Sequence, residues 1–142
     1  MSRDRAWTRS DALRLLAVAL VLVEGAIHLQ QYVGPLNAVP TIGTLFVLNA
    51  FSAAAIALVL AGSRGLVAML AALAGLGMTL TALVSLAITR AGTLFDYSEP
   101  TLRAAVGWAA VVELAAVLAL SAFLLTCRRA TAAVRTDWTQ LA

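Results

Sequence analysis

The chain contains no lysine: its 10 basic residues are all arginine. Read with the surplus of Ala, Leu and Val, this is a coding bias with little bearing on mechanism. Charge of either sign is scarce, at 12% of 142 residues, about half the share a soluble domain carries on its surface. With 62% apolar residues and a mean hydropathy of +0.94, the composition excludes a water-soluble globular domain and points to an integral membrane protein. The single cysteine, Cys127, excludes an intrachain disulfide and dithiol redox chemistry. Beside Arg128 at a helix end, it reads as a plain interfacial thiol or as a site of reversible acylation. No internal repeat or low-complexity tract stands out from the apolar background.

What is present in quantity is uninterrupted apolar sequence. About 20 such residues cross the ~30 Å hydrocarbon core of a bilayer, and four segments reach that length. They run from about Leu13 to Val33, Ile42 to Ala61, Leu66 to Thr89 and Ala104 to Thr126. Backbone groups in lipid must be satisfied within the segment, so all four are predicted to be helices. The expected fold is all-α, a single-domain, up-down four-helix transmembrane bundle with tails at 1–12 and 127–142. Gly34-Pro35 through Pro40-Thr41 separates the first two helices, and Gly62-Ser63-Arg64-Gly65 makes a tight turn between the next two. Gly92 to Pro100 is the longest connection and carries Asp96 and Glu99. Thr8 and Asp11 have capping-box spacing ahead of the first apolar run. The tail after Arg128 reads as a loose amphipathic turn on the inner leaflet or as a partly frayed end.

Arginine placement sets the expected orientation. Arg3, Arg5, Arg9, Arg14, Arg64, Arg128, Arg129 and Arg135 fall on one side, and only Arg90 and Arg103 on the other. Both termini are therefore predicted in the cytoplasm, in a bacterial inner membrane. Trp7 and Trp138 mark the inner interface, and Tyr32, Tyr97 and Trp108 the outer one. The same distribution accounts for a pI near 10.0 as membrane topology, so nucleic acid is not an expected partner. A cleaved signal peptide is the competing reading of the first segment, with its basic start and the apolar Leu15–Val23 run. Against it, the apolar stretch continues past Glu24 and no small-x-small cleavage site directly follows.

Within the spans stand groups that lipid penalises. An ionised side chain near the middle of a membrane helix costs roughly 2.5–3.5 kcal/mol on insertion scales. Glu24 and His28 interrupt the first span and Glu113 the fourth. At ~1.5 Å per residue, Glu24 lies ~14 Å below Val33, and Glu113 lies ~14 Å below Ala104. The two carboxylates share a level, and the first and last helices of an up-down bundle are neighbours. His28 stacks one turn above Glu24, and Gln31 extends that face. The second helix adds Asn49 and Ser52, and the third adds Thr81 and Ser85, all on the same half of the membrane. Such clustering predicts a pocket or vestibule opening outward. The competing reading is a structural network, since Ser and Thr commonly bond their own backbone and Asn49 can join two helices. Ala53, Ala57 and Ala61, and Ala71, Gly75 and Thr79, recur every four residues as close-packing surfaces, and Gly25 gives a neighbour room beside Glu24.

Apart from Arg14 at the cytoplasmic end of the first span, no arginine or lysine lies within the spans, so only His28 is placed to offset the carboxylates. Two carboxyls in close contact cannot both ionise cheaply and share a proton. Alternatively they hold a cation: Glu24, His28 and Glu113 form an N/O ligand set suited to a divalent transition metal such as zinc, iron or manganese. Three ligands leave positions free for water or substrate.

The run Glu24-Gly25-Ala26-Ile27-His28-Leu29, followed by Ile42-Gly43-Thr44-Leu45-Phe46-Val47-Leu48-Asn49, resembles small four-helix membrane proteins of actinobacteria, loosely DoxX-like. These carry a Gly-x-x-His-Leu turn in their first helix. The resemblance covers the first two helices. It implies a four-helix bundle and carries no catalytic assignment onto these residues. Small multidrug-resistance antiporters share the architecture and a first-helix glutamate, but their Trp and Tyr pattern is not apparent here.

The leading functional expectation is a multi-pass membrane protein with a Glu/His/Glu site that binds a cation or small polar ligand. The alternatives are a small proton-coupled transporter, as a homodimer, and a non-catalytic membrane partner subunit. An enzymatic role would run only through metal-bound water, and one histidine per chain disfavours haem.

Overall fold

The computed structural model describes residues 8–99, 101 and 103–140, those from 129 onward as backbone. Trp7, Arg3 and Arg5 lie outside the described residues, as do the side chains of Arg129, Arg135 and Trp138.

Four helices follow from four apolar runs: α1 Arg9–Gln31, α2 Pro40–Gly62, α3 Gly65–Ala91 and α4 Ala104–Gln140. All four are long and apolar enough to cross a membrane. Each packs on its neighbour in sequence, and α1 closes the ring against α4. The outward faces are apolar rather than charged, as in Leu58 at 73% exposure and Leu118 at 71%. That surface suits lipid as the surrounding solvent. The four-helix membrane bundle expected from the sequence is the fold observed.

The ends are built by local chemistry. Thr8 caps α1, its hydroxyl accepting from the Asp11 N–H while the Asp11 carboxylate accepts from the Thr8 N–H. Arg14 then donates to the Ser63 carbonyl at 2.7 Å, tying this end of α1 to the α2–α3 turn. At the far end, α1 passes into a π-helical turn, Tyr32–Leu36. Pro35 lacks an N–H and crowds the preceding turn, and Gly34 leaves helical geometry with ψ −115. The helical path thus reaches Leu36, beyond the expected break at Gly34. Pro40 starts α2 at a position that needs no amide hydrogen. A Cβ on Gly43 would stand 2.5 Å from the Leu36 carbonyl oxygen, so the reversal closes only over glycine.

α4 departs from expectation more clearly. It continues through Gln140, where a tail from residue 127 was expected. No Gly or Pro follows Thr126, and the Ala and Arg residues that do are strong helix formers.

The interior divides by polarity. The arginine-rich half is an apolar cluster including Val21, Ala57, Leu60, Ala72 and Leu120. In the other half Glu24, His28, Gln31, Thr79, Thr89 and Glu113 are buried. Gly25 lets α1 and α2 meet between the two, since an added Cβ would lie 2.7 Å from that of Ala53. Ala61 departs from the expected packing stripe and is exposed, whereas Ala53 and Ala57 are buried.

The α3–α4 connection folds back on the bundle. Leu94 and Tyr97 exchange backbone hydrogen bonds of 2.8 and 3.1 Å across Phe95 and Asp96, both at positive φ (52 and 60). This is the pattern of a type I′ reversal. Glu99 is buried there: its N–H donates to the Thr89 carbonyl and its carboxylate accepts from Tyr97 Oη and from Arg103. Arg90 donates to its carbonyl at 2.9 Å.

Candidate functional site

α1 sets the first two groups by helical spacing. Glu24 and His28 are one turn apart and both face inward, Glu24 with no exposed surface. His28 Nδ1 lies 3.0 Å from the Glu24 carbonyl oxygen. A hydrogen bond there requires Nδ1–H, and in the neutral ring that tautomer leaves Nε2 with its lone pair. The bare Nε2 faces Glu113 Oε1 at 3.7 Å, beyond hydrogen-bond reach. The ring also leans on Phe46, with centroids 4.8 Å apart. α4 delivers Glu113, 2% exposed, from the opposite side.

The three residues converge: one ligand atom from each of Glu24, His28 and Glu113 lies within 4.8 Å of the others. Ligands around a tetrahedral ion with ~2.1 Å bonds stand about 3.4 Å apart. The His28–Glu113 separation is already near that value.

Around these residues the buried unpaired atoms are all acceptors. Glu24 Oε2 accepts from Thr79 Oγ1 at 2.8 Å. Glu24 Oε1, Glu113 Oε2 and Asn49 Oδ1 are buried with no hydrogen-bond partner among the described residues. The Asn49 side chain acts on Glu24, yet it does not meet Oε1 with hydrogen-bond geometry. Buried acceptors without donors are costly, and carboxylate oxygens most of all. Arg90 and Arg103, the two arginines at this end, are engaged by Glu99. The site therefore presents three oxygen acceptors and one imidazole nitrogen to a region where, among the described residues, no arginine is left to pair with them.

A cavity of about 330 Å³ adjoins them, lined by His28 and Gln31 of α1, Asn49 and Ser52 of α2, Thr81 and Ser85 of α3, and Glu113. These are the residues singled out from the sequence, save that Glu24 lies behind the cavity wall. Thr81 Oγ1 donates to the Gly77 carbonyl of its own helix, as a purely structural threonine would. At the loop end the lining residues Gln31, Ile42, Thr89, Glu99 and Val106 are buried. The exposed lining residues are instead on the flanks of α2 and α3. The 93–99 segment folds back over the loop end of the cavity, with its lining residues Leu94 and Tyr97 half-buried there.

Sequence reasoning missed three contributors. Thr79, fully buried, holds Glu24 but reads in the sequence as a small packing residue. Measuring its depth from Ala91 at ~1.5 Å per residue would have placed it near the Glu24 level. Tyr97 and Glu99 line the cavity, and nothing in a nine-residue connection announces that it folds inward.

Comparison with protein-family models, curated proteins and solved structures yields no match for this chain. The DoxX-like resemblance thus rests on the motifs of the first two helices alone.

Proposed function

We infer that the protein binds a divalent transition metal within the membrane, through Glu24, His28 and Glu113. The observation that carries this reading is the pair of buried carboxylate oxygens without donors, Glu24 Oε1 and Glu113 Oε2, with His28 Nε2 3.7 Å from Glu113. A cation satisfies all of them at once. The Nδ1–H bond to the Glu24 carbonyl is the outer contact that orients a metal-ligating histidine. One nitrogen and two carboxylates suit zinc, iron or manganese, and the adjoining cavity gives room for water or a further ligand in the open positions. The arginine count supports an orientation with both termini cytoplasmic in an inner membrane and the 93–99 loop outside.

Equilibrium dialysis of the purified protein against Zn²⁺, followed by elemental analysis, tests the reading. One ion per chain is expected, lost in Glu24→Gln, His28→Ala or Glu113→Gln and kept in Thr81→Ala. Failure of the parent protein to retain zinc, iron or manganese would rule the metal out.

A second reading draws on the same carboxylates. Protons on Glu24 and Glu113 would also satisfy the unpaired oxygens, and their exchange for a substrate is the basis of a small proton-coupled transporter. Metal-free protein that binds substrate in a pH-dependent way, with the dependence lost in Glu113→Gln, would favour it.

A further inference from the structure

Among the described residues, the cavity beside His28 and Glu113 is lined by buried and half-buried residues at its loop end and by exposed ones on the flanks of α2 and α3. At the loop end, Glu99 is held in place by Tyr97 and Arg103; Gln31, Ile42, Thr89 and Val106 around it are buried, and Leu94 and Tyr97 are half-buried. Midway down, Leu45, Leu48 and Ser52 of α2 and Thr81 of α3 line the same cavity and are exposed. At ~1.5 Å per residue they lie ~8–18 Å below the loop-side ends of their helices. That depth falls within the ~30 Å hydrocarbon layer. A surface exposed there faces acyl chains, so a solute that reaches the cavity without displacing the loop comes through the bilayer.

The lining restricts what that solute is. Leu45, Leu48, Met78 and Leu86 give an apolar approach, and a charged molecule would meet the insertion penalty of the hydrocarbon layer. The far wall offers Asn49 Oδ1 and Glu113 Oε2, both buried acceptors lacking donors. A hydroxyl carries one such donor, for Asn49 Oδ1 where a cation holds Glu113, and its oxygen is a ligand for that cation. The volume of about 330 Å³ is at the low end of small-molecule sites, ~300–1,000 Å³. It suits a single ring or a short chain rather than a whole lipid.

We propose that the slot between α2 and α3 admits a neutral, membrane-dissolved alcohol or phenol, whose hydroxyl reaches Asn49 and Glu113 while its apolar body lies along Leu45, Leu48 and Met78. The target of the hydroxyl rests on the binding centre inferred above; the route does not.

Photolabelling of the full chain in lipid nanodiscs tests this. The probe is a decanol bearing a diazirine near its hydroxyl, and a charged, water-soluble diazirine carboxylate is the control. Adducts are mapped by mass spectrometry. Decanol adducts are expected on Asn49, Met78 and Glu113, severalfold above those on the lipid-facing Leu58 and Leu118. The double variant Ser52→Trp/Thr81→Trp, which fills the slot from its lipid side, should lose the cavity adducts and keep those on Leu58 and Leu118. Leu48→Trp, at a position already 55% exposed, provides the same obstruction should the double variant fail to fold. Even labelling of cavity and lipid-facing residues, insensitivity to both obstructions, or stronger cavity labelling by the soluble control would overturn the proposal. Zn²⁺ retention is measured on the same samples. Slot-sensitive labelling without zinc would sink the metal reading alone, and zinc without slot-sensitive labelling would sink the lipid route alone.

Discussion

Replacing Thr79 with Val isolates one contact at the heart of the site. The side chains have nearly the same shape, so the change removes the hydroxyl that donates to Glu24 Oε2 at 2.8 Å and little else. Both residues are 0% exposed, and no water can replace the lost donor from the bulk. A hydrogen bond to a charged partner contributes about 1.5–3 kcal/mol in soluble proteins and a neutral one about 1. Interhelical hydrogen bonds in membranes average nearer ~0.6 kcal/mol and reach ~1.7. Here the loss leaves both Glu24 oxygens unpaired, because Oε1 already has no partner among the described residues. The upper part of the membrane range therefore applies, and Thr79→Val should cost about 1–1.7 kcal/mol, roughly a five- to twentyfold shift in the folding equilibrium. Reversible unfolding in mixed micelles, followed by far-UV circular dichroism, measures it. In a Glu24→Met background the acceptor is gone, and the same change should cost no more than ~0.3 kcal/mol. Equal costs in the two backgrounds would refute the assignment of Thr79 as the partner that holds Glu24.

Glu99 should make the loop sensitive to pH at both extremes. Hydrogen bonds from Arg103, then Tyr97, hold its carboxyl below the ordinary 4.5 against the opposing effect of burial. A depressed carboxyl contributes stability that is present above its unfolded value and lost as pH falls through the folded one, so the loop should loosen below about pH 4.5. Tyr97 is pushed up to about 12 by burial and by its bond to Glu99, so its contribution is present below pH 10 and lost as pH rises toward 12. Protection of the Tyr97 and Glu99 amides from hydrogen exchange, relative to the intrinsic rate at each pH, should be greatest between these limits, and Glu99→Gln should remove the acid limb; an unchanged acid limb in that variant would rule Glu99 out as its source. For topology, in a Cys127→Ser background, cysteine at Ser98 should react with an impermeant reagent from outside and cysteine at Ser63 only from the cytoplasm; the opposite pattern would invert the orientation.

Depth was legible in the sequence and azimuth was not. The level shared by Glu24 and Glu113 follows from counting residues along two apolar runs, because helical rise is fixed. Their meeting follows from short connections that force adjacent helices to run antiparallel. Which flank of α2 and α3 stays uncovered depends on how the helices rotate about their axes. Hydropathy says little about rotation when every face is apolar, as with Leu45 and Leu48, which line the cavity and face lipid together. Thr79 escaped notice for a related reason: a small polar residue in a stripe of Ala and Gly has the same spacing whether it packs or donates. The inward fold of the 93–99 loop turns on positive φ at Phe95 and Asp96, and phenylalanine is an unusual residue for that conformation. The continuation of α4 past Thr126 was readable from the missing Gly and Pro. It was obscured by taking the end of the apolar run as the end of the helix.

The central claim is that Glu24, His28 and Glu113 hold one metal ion, and X-ray absorption of zinc-loaded protein tests it most directly. The account predicts a single zinc environment with one imidazole nitrogen and two carboxylate groups at about 2.0–2.2 Å, with the imidazole scattering lost in His28→Ala. Zinc bound with no imidazole in its shell, or a spectrum unchanged in His28→Ala, would contradict it.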